Sequence, residues 1–376
     1  MNIAIFARVL FMSGVTTHII DLTQQLTEKG HTVNIFTAGP EHPNNSANIV
    51  LEQRLKDAGG KIIYIPFPTN KSNKVAYVLK LIFSTPLVYK KLNNLKIDII
   101  HIHTPVLSFI PYFLREKFVK TIHIKNLSLS IFDKKATHEI TISRETFIES
   151  KNKYNYNENE ISLIFNGVNS KFSRLADDKE IQLIKDQFKF NNDKIIIGIV
   201  GSIQYRKGQD ILLKAISKLS EELKDKVQII ILGEAEYKGD NVWIDDLIQS
   251  TNLHNQIKKF PFQDPKPFYD MMDIFVLPSR LEGFPLVTLE AFLSNCCVIR
   301  SNVEGAYDQI NDGETGFLFE NENIDQLSKI LEKLIIDEKL RKEVAKKGRE
   351  FALANFTSDI MVEKTLQVYQ KVIDLK

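Results

Sequence analysis

Two adjoining stretches, Asp273-Ile274-Phe275-Val276-Leu277-Pro278-Ser279 and Glu282-Gly283-Phe284-Pro285-Leu286-Val287-Thr288-Leu289-Glu290, decide how this chain is read. The first is a short apolar run and predicts a buried strand. The second turns at Gly283-Phe284-Pro285 and enters a helical pattern. Proline suits the first turn of a helix, where its missing N–H costs nothing. The unpaired amides of that turn carry partial positive charge and suit a phosphate. Carboxylates repel phosphate but accept hydrogen bonds from hydroxyls. A phosphate-friendly helix start between Glu282 and Glu290 therefore points to a ligand that is part phosphate and part sugar.

Working outward, strand and helix patterns alternate along the chain. Asn2–Phe6 predicts a strand, 7–15 a loop containing Ser13-Gly14, and Ile19, Ile20, Leu22 and Leu26 a helix that stops at Gly30. Further strands are expected at 31–36, 61–65, 97–102, 119–123 and 139–142. The polar residues 170–178 read as a linker, after which the pattern restarts with Ile195-Ile196-Ile197-Gly198-Ile199-Val200 and continues at 227–232 and 257–260. A break near Asn355-Phe356-Thr357 precedes an amphipathic segment over 359–376. Such alternation predicts an α/β chain of two parallel sheets wrapped by helices, with a cleft between them. The expected divisions are 1–172, 173–355 and a final helix, 356–376.

The 376 residues, 43% of them hydrophobic, suffice for two ordinary cores. No apolar run reaches the length of a transmembrane helix. Met1 leads directly into a strand-like segment, so no signal peptide is expected. Adjacent Cys296 and Cys297 read as packing residues, which fits a reducing compartment, the cytoplasm. Net charge is +2, but residues 1–175 hold 22 Lys and Arg against 13 Asp and Glu, and the remainder 27 against 34. Lys71, Lys74, Lys80, Lys90, Lys91 and Lys96 interleave with Tyr77, Val78, Leu81, Ile82, Phe83 and Leu87. That pattern reads either as a solvated helix face or as a basic amphipathic surface on anionic lipid. No nucleic-acid recognition motif accompanies it.

In open α/β sheets ligands bind beyond the carboxyl ends of the strands. Four features fall there. Ser13-Gly14-Val15 lets backbone approach a phosphate or sugar, though it lacks the dinucleotide fingerprint. Gly201-Ser202 opens a loop in which Arg206 and Lys207 suit a departing diphosphate. His101 and His103 share a strand face, and no Cys or carboxylate is placed to complete a metal site with them, so they read as hydrogen-bonded structural groups. His123, at the end of another strand, is better placed to meet substrate. The fourth feature is the carboxylate pair, which in another setting would serve glycoside hydrolysis. The chain contains no Asp-x-Asp triplet to bridge a metal to a diphosphate, so cations and helix amides are expected to neutralise it, with no metal or other cofactor.

With these residues placed, the chain resembles the retaining glycosyltransferases of the GT-B fold, family four. The segment from Pro278 to Ala291 is similar to that family's E-x7-E motif. Lys207-Gly208, Thr17-His18-Ile19, Gly30-His31, the strand 98–103, Asn166-Gly167-Val168 and Asn311-Asp312-Gly313-Glu314-Thr315-Gly316 follow in the family's order. The resemblance implies two Rossmann-like domains, the first binding acceptor and the second the nucleotide sugar, with the last helix crossing back to the first domain. It assigns Glu282 to donor-sugar hydroxyls, Glu290 to the ribose, and the backbone from Phe284 through Pro285 and Leu286 to Val287 to the diphosphate, with Gly283 also bordering the donor. Proline, lacking an N–H, contributes only its position. Lys207 and Arg206 would neutralise the leaving group, Gly14, Val15, Gly201 and Ser202 would border the donor, and His123 would contact the transferred sugar.

The implied activity is transfer of a hexose or N-acetylhexosamine, UDP-linked, to a glycan or lipid-linked acceptor of the cell envelope, with anionic membrane as a further partner. Acceptor choice would rest on loops 39–47 and 124–135. The alternatives are a catalytically retired GT-B binding module, a nucleotide-sugar epimerase and a glycoside hydrolase. Four departures stand out: Ser202 where many members carry arginine, Ser13 for the first glycine of a Gly-Gly turn, Asp308 for glutamate, and Cys297 for proline.

Overall fold

Isoleucine- and valine-rich runs without polar alternation form strands buried on both faces, which is the condition for parallel sheets covered by helices on each side. The computed structural model describes residues 1–11, 13–41, 46–125, 131–235 and 238–375. Residues 42–45 and 126–130, within the two loops expected to choose the acceptor, lie outside that set. The chain forms two compact units, Met1–Gly167 with Ser358–Lys376, and Val168–Thr357.

The first unit holds β1 (Asn2–Phe6), β2 (Thr32–Thr37), β3 (Lys61–Tyr64), β4 (Ile99–Ile102), β5 (Phe118–Ile122), β6 (His138–Thr141) and β7 (Ile161–Leu163). They pair in parallel in the order β3-β2-β1-β4-β5-β6-β7, with Ile3 opposite Val33 and Ile99. Period-two alternation along β1 builds two cores. Ile3 and Ile5 face one side, with Leu22, Leu26, Val362, Tyr369 and Val372. Ala4 and Phe6 face the other, with Phe36, Phe67, Leu81 and Ile100. The helix Ser358–Asp374 supplies five buried residues of the first core, Met361, Val362, Val368, Tyr369 and Val372, so the last segment of the sequence is part of the first unit.

The second unit holds β8 (Ile195–Val200), β9 (Val227–Leu232), β10 (Ile257–Phe260), β11 (Ile274–Leu277), β12 (Cys297–Ser301) and β13 (Phe317–Phe319), ordered β10-β9-β8-β11-β12-β13, again all parallel. Cys296 and Cys297 are buried free thiols. β7 escaped the sequence reading because three residues carry too little periodicity. The segment expected as linker is partly structured: Ser170–Ser173 make a 3₁₀ turn, and Asp177 caps the helix Asp178–Gln187 through its own carboxylate and Glu180. The two chain segments that enter and leave the second unit pair with each other, Val168 N donating to Phe356 O at 2.9 Å beside a Val168–Thr357 bridge. Among the described residues, no helix is long and apolar enough to cross a membrane.

Candidate functional site

In each sheet the chain reverses its direction of progress beside the first strand, between β1 and β4 and between β8 and β11. Loops leaving neighbouring strands on opposite sides of that switch leave room for a ligand.

In the second unit, the loop after β8 brings Arg206 and Lys207 against the loop after β11. Lys207 Nζ lies 2.7 Å from Glu282 Oε1, and Arg206 Nη1 donates to Leu281 O at 2.7 Å while standing 3.6 Å from the same carboxylate. Burial would raise the carboxyl pKa of Glu282, but the charges of Lys207 and Arg206 outweigh it and hold the group below its ordinary value. The chain therefore presents a charged carboxylate and two cations at one point.

Backbone constraints place that point. Gly208 has φ +72, and a Cβ there would stand 2.0 Å from Pro278 O, so only glycine lets the cation loop close on β11. Gly305, φ +71, meets Gly283 O in the same way, at 2.2 Å. It fixes the turn that leads to Phe284 and Pro285. Pro285 caps the helix Leu286–Leu293 without a side-chain hydrogen bond, so no side chain of its own occupies the first-turn amides. Gln309 Nε2 donates to Pro285 O at 3.1 Å, and Arg300 holds Gln309 in turn. One turn further on, Glu290 Oε2 accepts from Tyr269 Oη at 3.0 Å, which fixes the carboxylate from behind. Burial, and then the Glu290 charge, push the Tyr269 phenol well above its ordinary pKa, so the hydroxyl remains a donor.

Sequence reasoning missed the frame around these residues. Arg280 forms two parallel bonds to Asp210, Nη1–Oδ1 and Nη2–Oδ2 both 2.9 Å, and lies over the Tyr205 ring at 3.7 Å. It also donates to Tyr205 O at 2.6 Å and to Glu322 at 2.7 Å. Arg280 thus clamps the cation loop to the glutamate loop. Its place two residues before Glu282 was a usable signal, since a fork-shaped donor beside a ligand carboxylate needs its own partner. Tyr269 and Gln309 carried no local signal. Ser202, standing where arginine is frequent, contributes a carbonyl that accepts from Gln209 Nε2 at 3.0 Å. Gly201, φ +143, turns the chain out of β8.

The first unit places different chemistry at its switch. Ser13, in place of a glycine, caps the helix Gly14–Glu28 by accepting from Thr16 N at 3.3 Å. Among the described residues, an added Cβ on Gly14 would meet no atom within 4 Å, and Val15 beside it is partly buried. His103 follows β4 and His123 follows β5, with His103 Nδ1 3.0 Å from His123 Nε2. His101 is held at both nitrogens, by Tyr369 Oη at 2.6 Å and Thr121 Oγ1 at 2.7 Å. Burial first, then neighbouring imidazoles, lower the pKa of His101, His103 and His123 well below normal. Burial brings His18 to about 4. All four rings are neutral at pH 7.

Beside the strand histidines the helix Gly14–Glu28 places a third ring that the sequence reading did not weigh. It is that of His18, and ring nitrogens of His18, His103 and His123 lie within 4.8 Å of one another. Three neutral imidazoles are a donor set that a transition metal could use. They also suit hydrogen bonds to hydroxyls, and His103 Nε2 has no hydrogen-bond partner among the described residues.

Two parallel sheets, each wound both ways from its first strand and covered by helices, have the architecture of the GT-B glycosyltransferases. Two family models match this chain, glycosyltransferase family 4 over residues 12–172 and glycosyl transferases group 1 over residues 180–351. The chain belongs to this glycosyltransferase family.

It is 32% identical over 216 residues to the capsular polysaccharide biosynthesis glycosyltransferase CapM of Staphylococcus aureus, a match spanning 56% of either protein. It is 25% identical over 346 residues to an N,N'-diacetylbacillosaminyl-diphospho-undecaprenol alpha-1,3-N-acetylgalactosaminyltransferase of Campylobacter jejuni, covering 85% of this chain and 88% of that one. The structure of HepE from Anabaena, solved with UDP and glucose, superposes with a TM-score of 0.80 at 17% identity, covering 98% and 99% of the two chains.

Proposed function

We propose that the protein transfers a hexose or N-acetylhexosamine from a UDP-sugar to a glycan or lipid-linked acceptor with retention of anomeric configuration. The observation that carries this is the Lys207–Glu282 pair beside the uncapped helix start. On donor binding, Lys207 and Arg206 turn to the diphosphate, and Glu282, freed from Lys207, accepts from sugar hydroxyls. The amides of Leu286 and Val287 lie along the diphosphate, and Glu290, steadied by Tyr269, takes the ribose. Gly201 and Ser202 border the nucleotide. From the first unit, Gly14, Val15 and His123 are assigned to the donor by the family resemblance.

The bond from C1 to the diphosphate oxygen breaks, the acceptor oxygen bonds to C1 on the same face, and its proton passes to the departing phosphate. Charge neutralisation by side chains and amides makes the transfer metal-independent in this reading. Among relatives, a UDP complex and a diphospho-undecaprenol acceptor support the choice of donor and acceptor class. A lipid-linked acceptor would bring the protein to a membrane surface.

The test is turnover of UDP-sugars by the full chain, with and without EDTA, and product analysis by NMR. Retained configuration and unchanged rate in EDTA are expected. An inverted product would refute the retaining step, and a rate abolished by EDTA and restored by a divalent cation would refute the metal-independent one.

A further inference from the structure

The helix Lys74–Leu95 is apolar on two sides. Inward, Leu81, Val88 and Leu92 pack into the core with Phe67 and Ile100. Outward, Val75, Leu79, Ile82, Phe83 and Leu87 are 70, 46, 50, 65 and 46% exposed. Their spacing keeps all five on one stripe of the helix. The helix Phe109–Phe113 packs beside it and adds Tyr112 and Phe113, both largely exposed. Single exposed apolar side chains need no explanation, but a contiguous row of this length marks an interaction face.

Charge identifies what covers the row. Between residues 58 and 97 there are seven lysines and no Asp or Glu. Lys74, Lys80, Lys90 and Lys91 lie exposed along the same helix, and Lys134 stands over the Tyr112 ring at 5.5 Å. A second copy of the chain would oppose two such basic faces, and like charges across an interface are costly. An anionic bilayer satisfies both properties together. Aliphatic and aromatic side chains enter the headgroup boundary while lysines extend to lipid phosphates.

We infer that the outward side of the helix Lys74–Leu95, with Tyr112 and Phe113, docks on the surface of an anionic lipid bilayer. Docking is by an amphipathic face and needs no spanning segment. None of these side chains belongs to the donor site, so membrane binding and sugar transfer are separable by experiment.

The full chain should sediment with vesicles of phosphatidylcholine mixed with phosphatidylglycerol, far less with phosphatidylcholine alone, and less as salt rises. Each lysine near the surface is worth about fivefold in affinity, so the triple change Lys80→Glu, Lys90→Glu, Lys91→Glu should weaken binding by about a hundredfold or more. Ile82→Ser with Phe83→Ser should weaken it at least about tenfold through lost apolar burial. Lys342→Glu with Lys346→Glu, on exposed positions of the second unit, should change it little. All these side chains are exposed, so melting temperatures should match the parent's.

Absence of binding, equal binding to both vesicle types, or undiminished binding by the helix variants would overturn the inference. So would a concentration-dependent dimer that the Ile82→Ser, Phe83→Ser variant abolishes, because the row would then belong to a second copy. A UDP-induced thermal shift should be the same in parent and helix variants. Its absence in both would count against the donor site and leave the lipid result standing.

Discussion

The two sheets share one winding and differ in what stands at their switch points. After β4 and β5 the first unit places buried imidazoles, kept neutral by desolvation. After β8 and β11 the second places Lys207, Arg206, Glu282 and the Arg280–Asp210 fork, with the carboxyls of Glu282 and Asp210 held below their ordinary pKa by the cations beside them. The same order over the first six strands thus produces two electrostatic environments, because the residues at and beyond the strand ends differ. A neutral pocket suits hydroxyl-rich ligands. A cation cluster suits a leaving group that gains negative charge.

That contrast can be broken from the charged side first. Lys207→Ala and Glu282→Ala should each reduce kcat/KM for donor turnover by about 10²–10³-fold with the fold retained, as loss of an electrostatic stabiliser does. Activity indifferent to both changes would remove the second unit from the chemistry. Arg280→Ala removes the two-bond fork from the buried Asp210 carboxylate and leaves Lys214 beside it, the pKa of Asp210 being held down by both cations against burial. A loss of roughly 1–3 kcal/mol in urea unfolding is expected.

The neutral side is tested by pH. A histidine whose folded pKa lies below its unfolded value binds its proton more readily when unfolded, so stability falls as pH drops below about 6.5 and levels off below the folded pKa. His18, near 4 when folded, contributes on the order of 3 kcal/mol of that loss, and its three neighbours add in the same direction. Glu282 and Asp210 act lower: their depressed pKa values give stability that is lost only as pH falls below ordinary carboxylate values. Calorimetry from pH 7.5 to 5 should therefore move the transition of the first unit down while that of the second holds. Movement of both together would erase the distinction.

Gly305→Ala should cost roughly 1–3 kcal/mol, through an unfavourable φ and a clash with Gly283 O, and should raise KM for donor. The smallest effect is Tyr369→Phe, which removes the hydroxyl from His101 Nδ1 and should lower stability by about 1 kcal/mol in thermal unfolding.

Much of this frame was legible in the sequence. Ile195–Val200 and Ile274–Leu277 announced buried parallel strands, and the turn at Gly283-Phe284-Pro285 announced a helix start between two carboxylates. What resisted reading were relations across long sequence separations. Asp210 and Arg280 meet because Gly208 admits Pro278 O, and no local pattern states that distance. Tyr269 reaches Glu290, and Tyr369 reaches His101 across 268 residues. His18 entered the sequence reading only within Thr17-His18-Ile19, and nothing local stated that its ring would stand beside those after β4 and β5. Short β7 fell below the length at which periodicity speaks.

The helix Ser358–Asp374 has a consequence for the order in which the protein can be made. Residues 168–357 emerge from the ribosome as an uninterrupted block with their own sheet and core. The first unit, although its strands are synthesised earliest, lacks Val362, Tyr369 and Val372 until the last helix appears. Its core therefore closes after its neighbour's, and until then the part of β4 and β5 that the last helix covers is left as exposed apolar surface.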